Sequence, residues 1–325
     1  MKTQILILVA LFSLTLFSCQ NFSGLNNSTV SSSEDAVLKS TEIAANDILI
    51  ESISDELSYE AEFLASSERY LKELAHVRGG KHLMDGHKGS PYVDGYSPEI
   101  TIDTADTGYP VVITIDYGDS TVLKNGRVIT GLVTIEISAA RDTDGATRTI
   151  TYTNCVIDSV SVDGVSNEVF NGDNETTRTI TSGSNITFVL VDGTVIDRVG
   201  NHVRNWMAGL DTPLEHDDDV IETTGSTEAT TSTGNVWVRE IIEPLVRMGD
   251  CRHHVQGIVQ FSQNGEVLAT LNYGDGECDN LAILTTNGED IEIELGGCKP
   301  EPKLDDHGRG GEREKGHRNN GRGGN

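Results

Sequence analysis

Basic side chains are scarce in this chain, with 24 lysines and arginines against 51 acids and a formal charge of −27. That balance argues against nucleic acid or an anionic lipid surface as partner, because the attraction there is Lys and Arg to phosphate. Aromatics make up only 5% of the residues and apolar side chains 36%, while Thr, Val, Ile, Gly, Asp and Asn dominate the middle of the chain. This composition suits many short strands joined by tight turns. Long apolar runs are missing beyond the first residues. There is no HExxH, no GxSxG elbow, no P-loop and no dinucleotide fingerprint. No catalytic residue is therefore assigned.

The exception to the lack of apolar runs is the start. Lys2 is followed by an almost unbroken apolar stretch from Ile5 to Phe17, and small Ser18 precedes Cys19. This is the layout of a secretory signal, and it is shorter than the roughly 20 residues that span a bilayer as a helix. Leu16, Phe17, Ser18 and Cys19 read LFSC and resemble the lipobox of bacterial lipoproteins, which implies cleavage before Cys19 and acylation of that cysteine. The expected location is the cell envelope, lipid-anchored, in the outer membrane; Gln20 after the cysteine is compatible with that by analogy with enteric lipoproteins.

Domain organisation follows from changes of pattern. Residues 20–33 are rich in Ser, Asn and Gly and read as a flexible tether. Residues 34–78 carry helical spacing, with Ile50, Ile53, Leu57, Leu64, Leu71 and Leu74 in a stripe broken by Glu60 and Ser67. An amphipathic helix or hairpin lying on its own domain is expected, with a partner-binding coiled coil as the alternative. Residues 79–108 read as a linker. From 109 to 298 the period becomes two, as in Ile113, Ile115 and Tyr117 or Val133, Ile135 and Ile137, and hairpin signals intervene at Asn125-Gly126, Asp144-Gly145, Asp163-Gly164, Asp192-Gly193, Asn264-Gly265 and Asn287-Gly288. The fold class is mainly β: an antiparallel meander, as a sandwich or open barrel, with an N-terminal amphipathic helical segment. Residues 211–235, acidic and then rich in Thr and Ser, are expected to form a long loop or to split the β region into halves. The Gly, Arg and His tail, 299–325, is expected to be disordered.

A weak internal echo links Ile115-Asp116-Tyr117-Gly118-Asp119 to Leu271-Asn272-Tyr273-Gly274-Asp275. Through ITIDYGD at Ile113 to Asp119, EPLVR at Glu243 to Arg247, Cys251, Gly257 and YGDGECD at Tyr273 to Asp279, the stretch from Tyr109 to Leu295 resembles a family of uncharacterised Bacteroidetes envelope lipoproteins. That resemblance implies an envelope location and a β-rich body, and it supplies no activity. Similar proteins often carry a cysteine soon after the first DYG-like turn, where this chain has Ser120 and Thr121, so the partner of Cys155 stays open.

Four cysteines follow Cys19, an even number that suits an oxidising compartment. A two-residue turn at Asn264-Gly265 sets Cys251 opposite Cys278, at the Cα spacing a disulfide accepts. The alternatives are free thiols or a Cys278 to Cys298 bond. For metals, His76, His82, His87 and Asp85 after the helix, His253 and His254 beside Cys251, and the run Glu215 to Asp219 lack the paired spacing of a zinc site. Asp275, Glu277 and Asp279 around Gly274 and Gly276, or Asp116 and Asp119 around Gly118, carry oxygen ligands on a glycine turn as calcium requires. Calcium is the one cofactor suggested, and solvated hairpin acids are the plainer explanation. Three Asp-Ser/Thr-apolar triplets, at Asp103, Asp119 and Asp158, match a short glycan-acceptor pattern that chance also produces. The function expected is a non-enzymatic binding or structural module with an envelope protein or glycan as partner; the alternatives are a calcium-binding envelope protein and a glycan-active hydrolase.

Overall fold

The alternation that runs through the chain builds one sheet. In a computed structural model, residues 32–66, 90–106, 108–140, 143–173, 175–212, 217–249, 251 and 253–295 are described. They form one helix, α1 (Ser32–Ser66), and thirteen strands: β1 (Glu99–Thr104), β2 (Val111–Val122), β3 (Val128–Ile137), β4 (Thr147–Ile157), β5 (Val160–Gly172), β6 (Arg178–Val189), β7 (Val195–Ala208), β8 (Val220–Thr231), β9 (Val236–Met248), β10 (Gln256–Gln263), β11 (Glu266–Asp275), β12 (Leu281–Thr286) and β13 (Glu289–Glu294). Each strand pairs antiparallel with the next in sequence, so the meander is uninterrupted and its edges are β1 and β13. The architecture is the mainly β, helix-bearing meander expected from the pattern.

The helix explains the curvature. Its side chains reach Tyr117 on β2, Arg148 on β4, Arg178 on β6, Arg239 on β9 and Thr286 on β12. A flat sheet of this width could not touch one helix from its second strand to its twelfth; the sheet bends round α1 as an open trough. The apolar stripe lies at the bottom of that trough, with Ile50, Ile53, Leu57 and Leu64 at most 3% exposed. They pack in one cluster with Ile113, Ile115 and Ile135 from one end of the sheet and Phe261, Leu271 and Leu284 from the other. Burying each such side chain contributes about 1.5–3 kcal/mol. Leu71 and Leu74, the tether, the tail, Cys19 and Cys298 lie outside the described residues.

Several boundaries differ from the expectation, each for a local reason. The supposed linker 79–108 contains β1, whose short EITIDT alternation pairs with β2 from Glu99 to Thr104. The supposed loop or boundary at 211–235 contains β8, which pairs along its length with β7 and β9, so the sheet is continuous there. Its Thr, Ser and Glu content hid it, because only Ile221, Thr227 and Ala229 are buried and they leave no regular apolar period. Asp163-Gly164 is no hairpin: Gly164 sits inside β5, opposite Ile186, and the turn falls at Asp158 and Ser159, both at positive φ. A Cβ at Gly164 would stand 2.3 Å from the Asn185 carbonyl oxygen, so the glycine marks close strand approach and not a reversal. Asn264-Gly265 and Asn287-Gly288 do turn, with all four residues at positive φ as a type I′ turn demands.

The echo has a structural counterpart. Gly118 N–H donates to Asp116 Oδ1, and Gly274 N–H donates to Asn272 Oδ1, both at 2.9 Å. Tyr117 and Tyr273 are both buried and both turn toward α1.

Candidate functional site

Along α1, Asp47, Glu51, Asp55, Ser58 and Glu62 recur at three- and four-residue steps, a stripe flanking the apolar one. Opposite them inward positions of β4, β6, β7 and β9 carry arginine. Arg239 Nε donates to Asp47 Oδ2 at 3.0 Å, and Arg198 stands 3.3 Å from both Asp47 and Glu51. Arg148 joins Glu62 at 2.7 Å, and Arg178 joins the same carboxylate at 2.5 Å. Glu168 on β5 is shared by Arg148 and by Arg204 of β7. The planar rings at one end of this array also engage cations: Arg178 lies 3.8 Å from the Trp206 ring centroid and Arg148 5.2 Å from that of Phe170.

Burial alone would make such charges costly, and pairing decides their state. Burial opposes ionisation of Glu51, but Arg239 and Arg198 outweigh it and hold the carboxylate at about 2. Glu60, nine residues further on the apolar side, shows the opposite balance. Burial outweighs its hydrogen bond from Tyr117 and the weak pull of Arg127, and its carboxyl is pushed up to about 8. Glu60 is thus protonated near neutral pH while Glu51 on the other flank is ionised.

Between the acidic stripe and the inner faces of β4 to β9 lies a cavity of about 140 Å³. Five serines and two threonines line it, Ser54, Ser58, Ser166, Ser182, Ser184, Thr223 and Thr227, together with Glu51, Asp55, Glu168, Arg198, His202, Arg204, Arg247 and His254, and with the apolar faces of Leu57, Tyr152, Val162, Ile186, Phe188 and Ile221. A cavity of about 150 Å³ admits a benzene-sized molecule, so the space suits a ligand of a few heavy atoms; pockets for larger ligands run to about 300 Å³ and more. The sheet is creased here. Gly225 on β8 faces His202, and a Cβ at Gly225 would meet the Asn201 carbonyl oxygen at 2.1 Å, so only glycine lets β7 and β8 approach this closely.

Both cavity histidines are neutral at physiological pH. Burial lowers His202 to about 4, with Arg239, Arg198 and Arg204 adding to it and Glu51 opposing. Burial also lowers His254, against Asp55 and Glu51 and with Arg247 and Arg239. His254 is 8% exposed, its Nδ1 has no hydrogen-bond partner among the described residues, and its Nε2 stands 3.8 Å from Asp55 Oδ2, beyond hydrogen-bond length.

The residues singled out from the sequence fall as follows. Cys251 and Cys278 form a disulfide with Cα atoms 5.7 Å apart. The register from Asn264-Gly265 holds for Gln263 with Glu266 and Ser262 with Val267, then slips by one residue after Ser262 and again before Gln256. Both cysteines lie outside the ladder, in the segments after β9 and β11. The bond therefore owes its reach to those loops as well as to the turn. Cys155 is a buried thiol within 3.2 Å of the Leu132 carbonyl oxygen, and burial raises it to about 11, which leaves it unreactive. Asp275, Glu277 and Asp279 are all exposed around the second echo turn, and the Asp279 carboxylate accepts the Leu281 N–H. Among the described residues, the group of potential ligands that the structure does bring together is Glu51, Asp55 and His254, whose ligand atoms lie within 4.8 Å of one another. Of these only His254 had drawn notice in the sequence. The acidic stripe at helical spacing was the signal available for the other two.

No helix among the described residues is long and apolar enough to cross a membrane. Comparison with known protein families, with curated proteins and with solved structures finds no match for this chain.

Proposed function

We propose that the chain is a lipid-anchored, non-enzymatic binding module of the cell envelope, related to the Bacteroidetes envelope lipoproteins that its DYG-like motifs resemble, and that the cavity between α1 and the sheet is where it binds. The observation that carries this reading is the cavity: about 140 Å³, hydroxyl-lined, with cationic and anionic groups on its wall. The chemistry it suits is a small polar molecule, such as a hydroxy acid or an amino acid, and the volume is too small for an oligosaccharide. A hydrolase would need two carboxylates free to exchange protons across a bond. Glu168 and Glu51 are instead each held between two arginines, which supports binding over catalysis.

Thermal melting of the full chain with short hydroxy acids, amino acids and monosaccharides at millimolar concentration tests this. A molecule that binds only the folded state adds about 2.7 kcal/mol at a hundredfold excess over its Kd. The shift should disappear in Ser184→Leu, which fills the cavity. Unshifted midpoints across the panel would remove the cavity as a binding site. The anchor is tested separately by fatty-acid labelling, which should vanish in Cys19→Ser.

A further inference from the structure

His254 is the least satisfied side chain on the cavity wall. Its ring is 8% exposed, Nδ1 is without a hydrogen-bond partner among the described residues, and Nε2 has a carboxylate close by but not bonded to it. A neutral imidazole with its proton on Nδ1 carries a free lone pair on Nε2, the nitrogen that faces Asp55, and that lone pair is what a cation would take. The ring is also held firmly. It meets Tyr273 edge-on with centroids 5.4 Å apart, and the Cys251–Cys278 disulfide closes the loop three residues before it. Two further backbone bonds flank it, from Val255 N–H to Val246 O and from Gly276 N–H to Val255 O. The structure thus fixes an imidazole beside two carboxylates of α1 and leaves open space on the other side.

Resting on the reading of this cavity as a binding site, we propose that Glu51, Asp55 and His254 hold a divalent transition-metal ion of the zinc class, whose remaining coordination positions face the cavity. One imidazole and two carboxylates form a mixed nitrogen and oxygen donor set, which zinc takes with ligand bonds of about 2.0–2.2 Å and calcium, an all-oxygen ion, does not. Tetrahedral ligands at that bond length stand about 3.4 Å apart. The 3.8 Å between His254 Nε2 and Asp55 Oδ2 and the 4.8 Å limit for all three need only small side-chain adjustments to reach it. Glu51 Oε2 stands 3.3 Å from Arg198 and Oε1 3.7 Å from Arg239, so whichever oxygen takes the ion is shared with a guanidinium and the ion is bound more weakly than at an isolated site of the same ligands. A polar ligand entering the cavity would then complete the coordination.

The test uses the full chain with its disulfide intact. Calorimetric titration with Zn²⁺ should show one equivalent that His254→Gln and Asp55→Asn each weaken by tenfold or more, as loss of even an outer-shell partner costs about 10–100-fold. Co²⁺ in place of Zn²⁺ should give visible ligand-field bands that both variants lose. Any zinc held by the histidines of the tail would be untouched by these changes, so equal titration of the parent chain and Asp55→Asn would overturn the proposal, as would no binding at all. Asp55→Asn decides the matter even where His254→Gln fails to fold, because the Asp55 side chain is 31% exposed and its replacement is isosteric. Saturation by Ca²⁺ at these residues with none by Zn²⁺ would overturn the choice of ion. A chain that takes up hydroxy or amino acids but no metal overturns this inference and leaves the cavity reading standing; zinc binding that depends on His254 and Asp55, with no organic ligand bound, supports the metal and sinks only the organic-ligand reading.

Discussion

One helix meets two kinds of surface in this protein. At the ends of the sheet, β1 to β3 and β10 to β13, α1 packs against Ile, Val, Leu and Phe. In the middle, β4 to β9, the inward face is mixed: Ile150, Val162, Phe188 and Trp237 join the same apolar cluster, and beside them the helix meets arginines paired to its own acids. The apolar ends obtain stability from area removed from water, which tolerates repacking and small shifts. The charged middle obtains specificity instead. Asp47, Glu51 and Glu62 each have a partner at a set position, a helix displaced by one turn would leave buried charges unpaired, and the cavity lies in this middle region. The two surfaces divide the work, one holding the helix and the other setting its register and leaving room for a ligand.

That division is open to test, beginning with the largest effect. Arg239→Ala leaves Asp47 and Glu51 short of a buried partner and should cost about 3–5 kcal/mol in urea denaturation. The double variant Asp47→Leu with Arg239→Met should recover most of that loss, since a buried pair replaced by apolar groups is near neutral. Ile50→Ala in the apolar stripe, costing about 2–5 kcal/mol, should have no such rescue. If the double variant stays as unstable as Arg239→Ala, the middle is not a self-contained ion-pair array.

Removing the disulfide by Cys251→Ser with Cys278→Ser opens a loop of 27 residues and should cost ~3.5 kcal/mol on the chain-entropy account. A loss under ~1 kcal/mol would mean that the loops are already held by Tyr273 and the β9–β11 ladder.

Glu60 sharpens the contrast within the helix itself. Its folded value of about 8 lies above the ordinary value of about 4.3. The unfolded chain then binds fewer protons than the folded one between those limits, so the Glu60 contribution is present below about pH 4 and is lost as pH rises through about 8. Glu60→Gln should gain on the parent chain by up to about 1.4 kcal/mol for each pH unit across that window. Parallel stability profiles for the two chains from pH 5 to pH 8 would show Glu60 to be ionised in the fold. Glu51 runs the other way, with stability present above about pH 4.5 and lost as pH falls toward 2.

The smallest effect belongs to the outer face. Val199, 51% exposed on β7, points away from both surfaces, and Val199→Thr should change stability by less than ~0.5 kcal/mol. A larger change in the midpoint would reveal a contact that the outer face makes.

The apolar ends were the legible part. Ile113, Ile115 and Tyr117, or Ile135 and Ile137, alternate with polar residues and so declare which face is inward. The stripe from Ile50 to Leu64 declared its helix, and Asn264-Gly265 and Asn287-Gly288 declared their turns. Glu60 read as a break in the stripe, although its carboxyl is buried beside Tyr117. In β8 the buried positions are Ile221, Thr227 and Ala229, too few apolar side chains among Thr, Ser and Glu to declare a period, so its twelve residues read as loop.

The sequence by itself determined the meander, the helix and the two type I′ turns, because each follows from the period of nearby side chains and from backbone preferences within a few residues. Only the tertiary structure decided which polar residues are inside. Alternation has the same period whether arginine or valine faces the core, and the acids of α1 find their arginines on strands 86 to 192 residues away. The meeting of Glu51 and Asp55 with His254 has the same cause: it exists because a sheet of thirteen strands bends round one helix, and no local pattern encodes that closure.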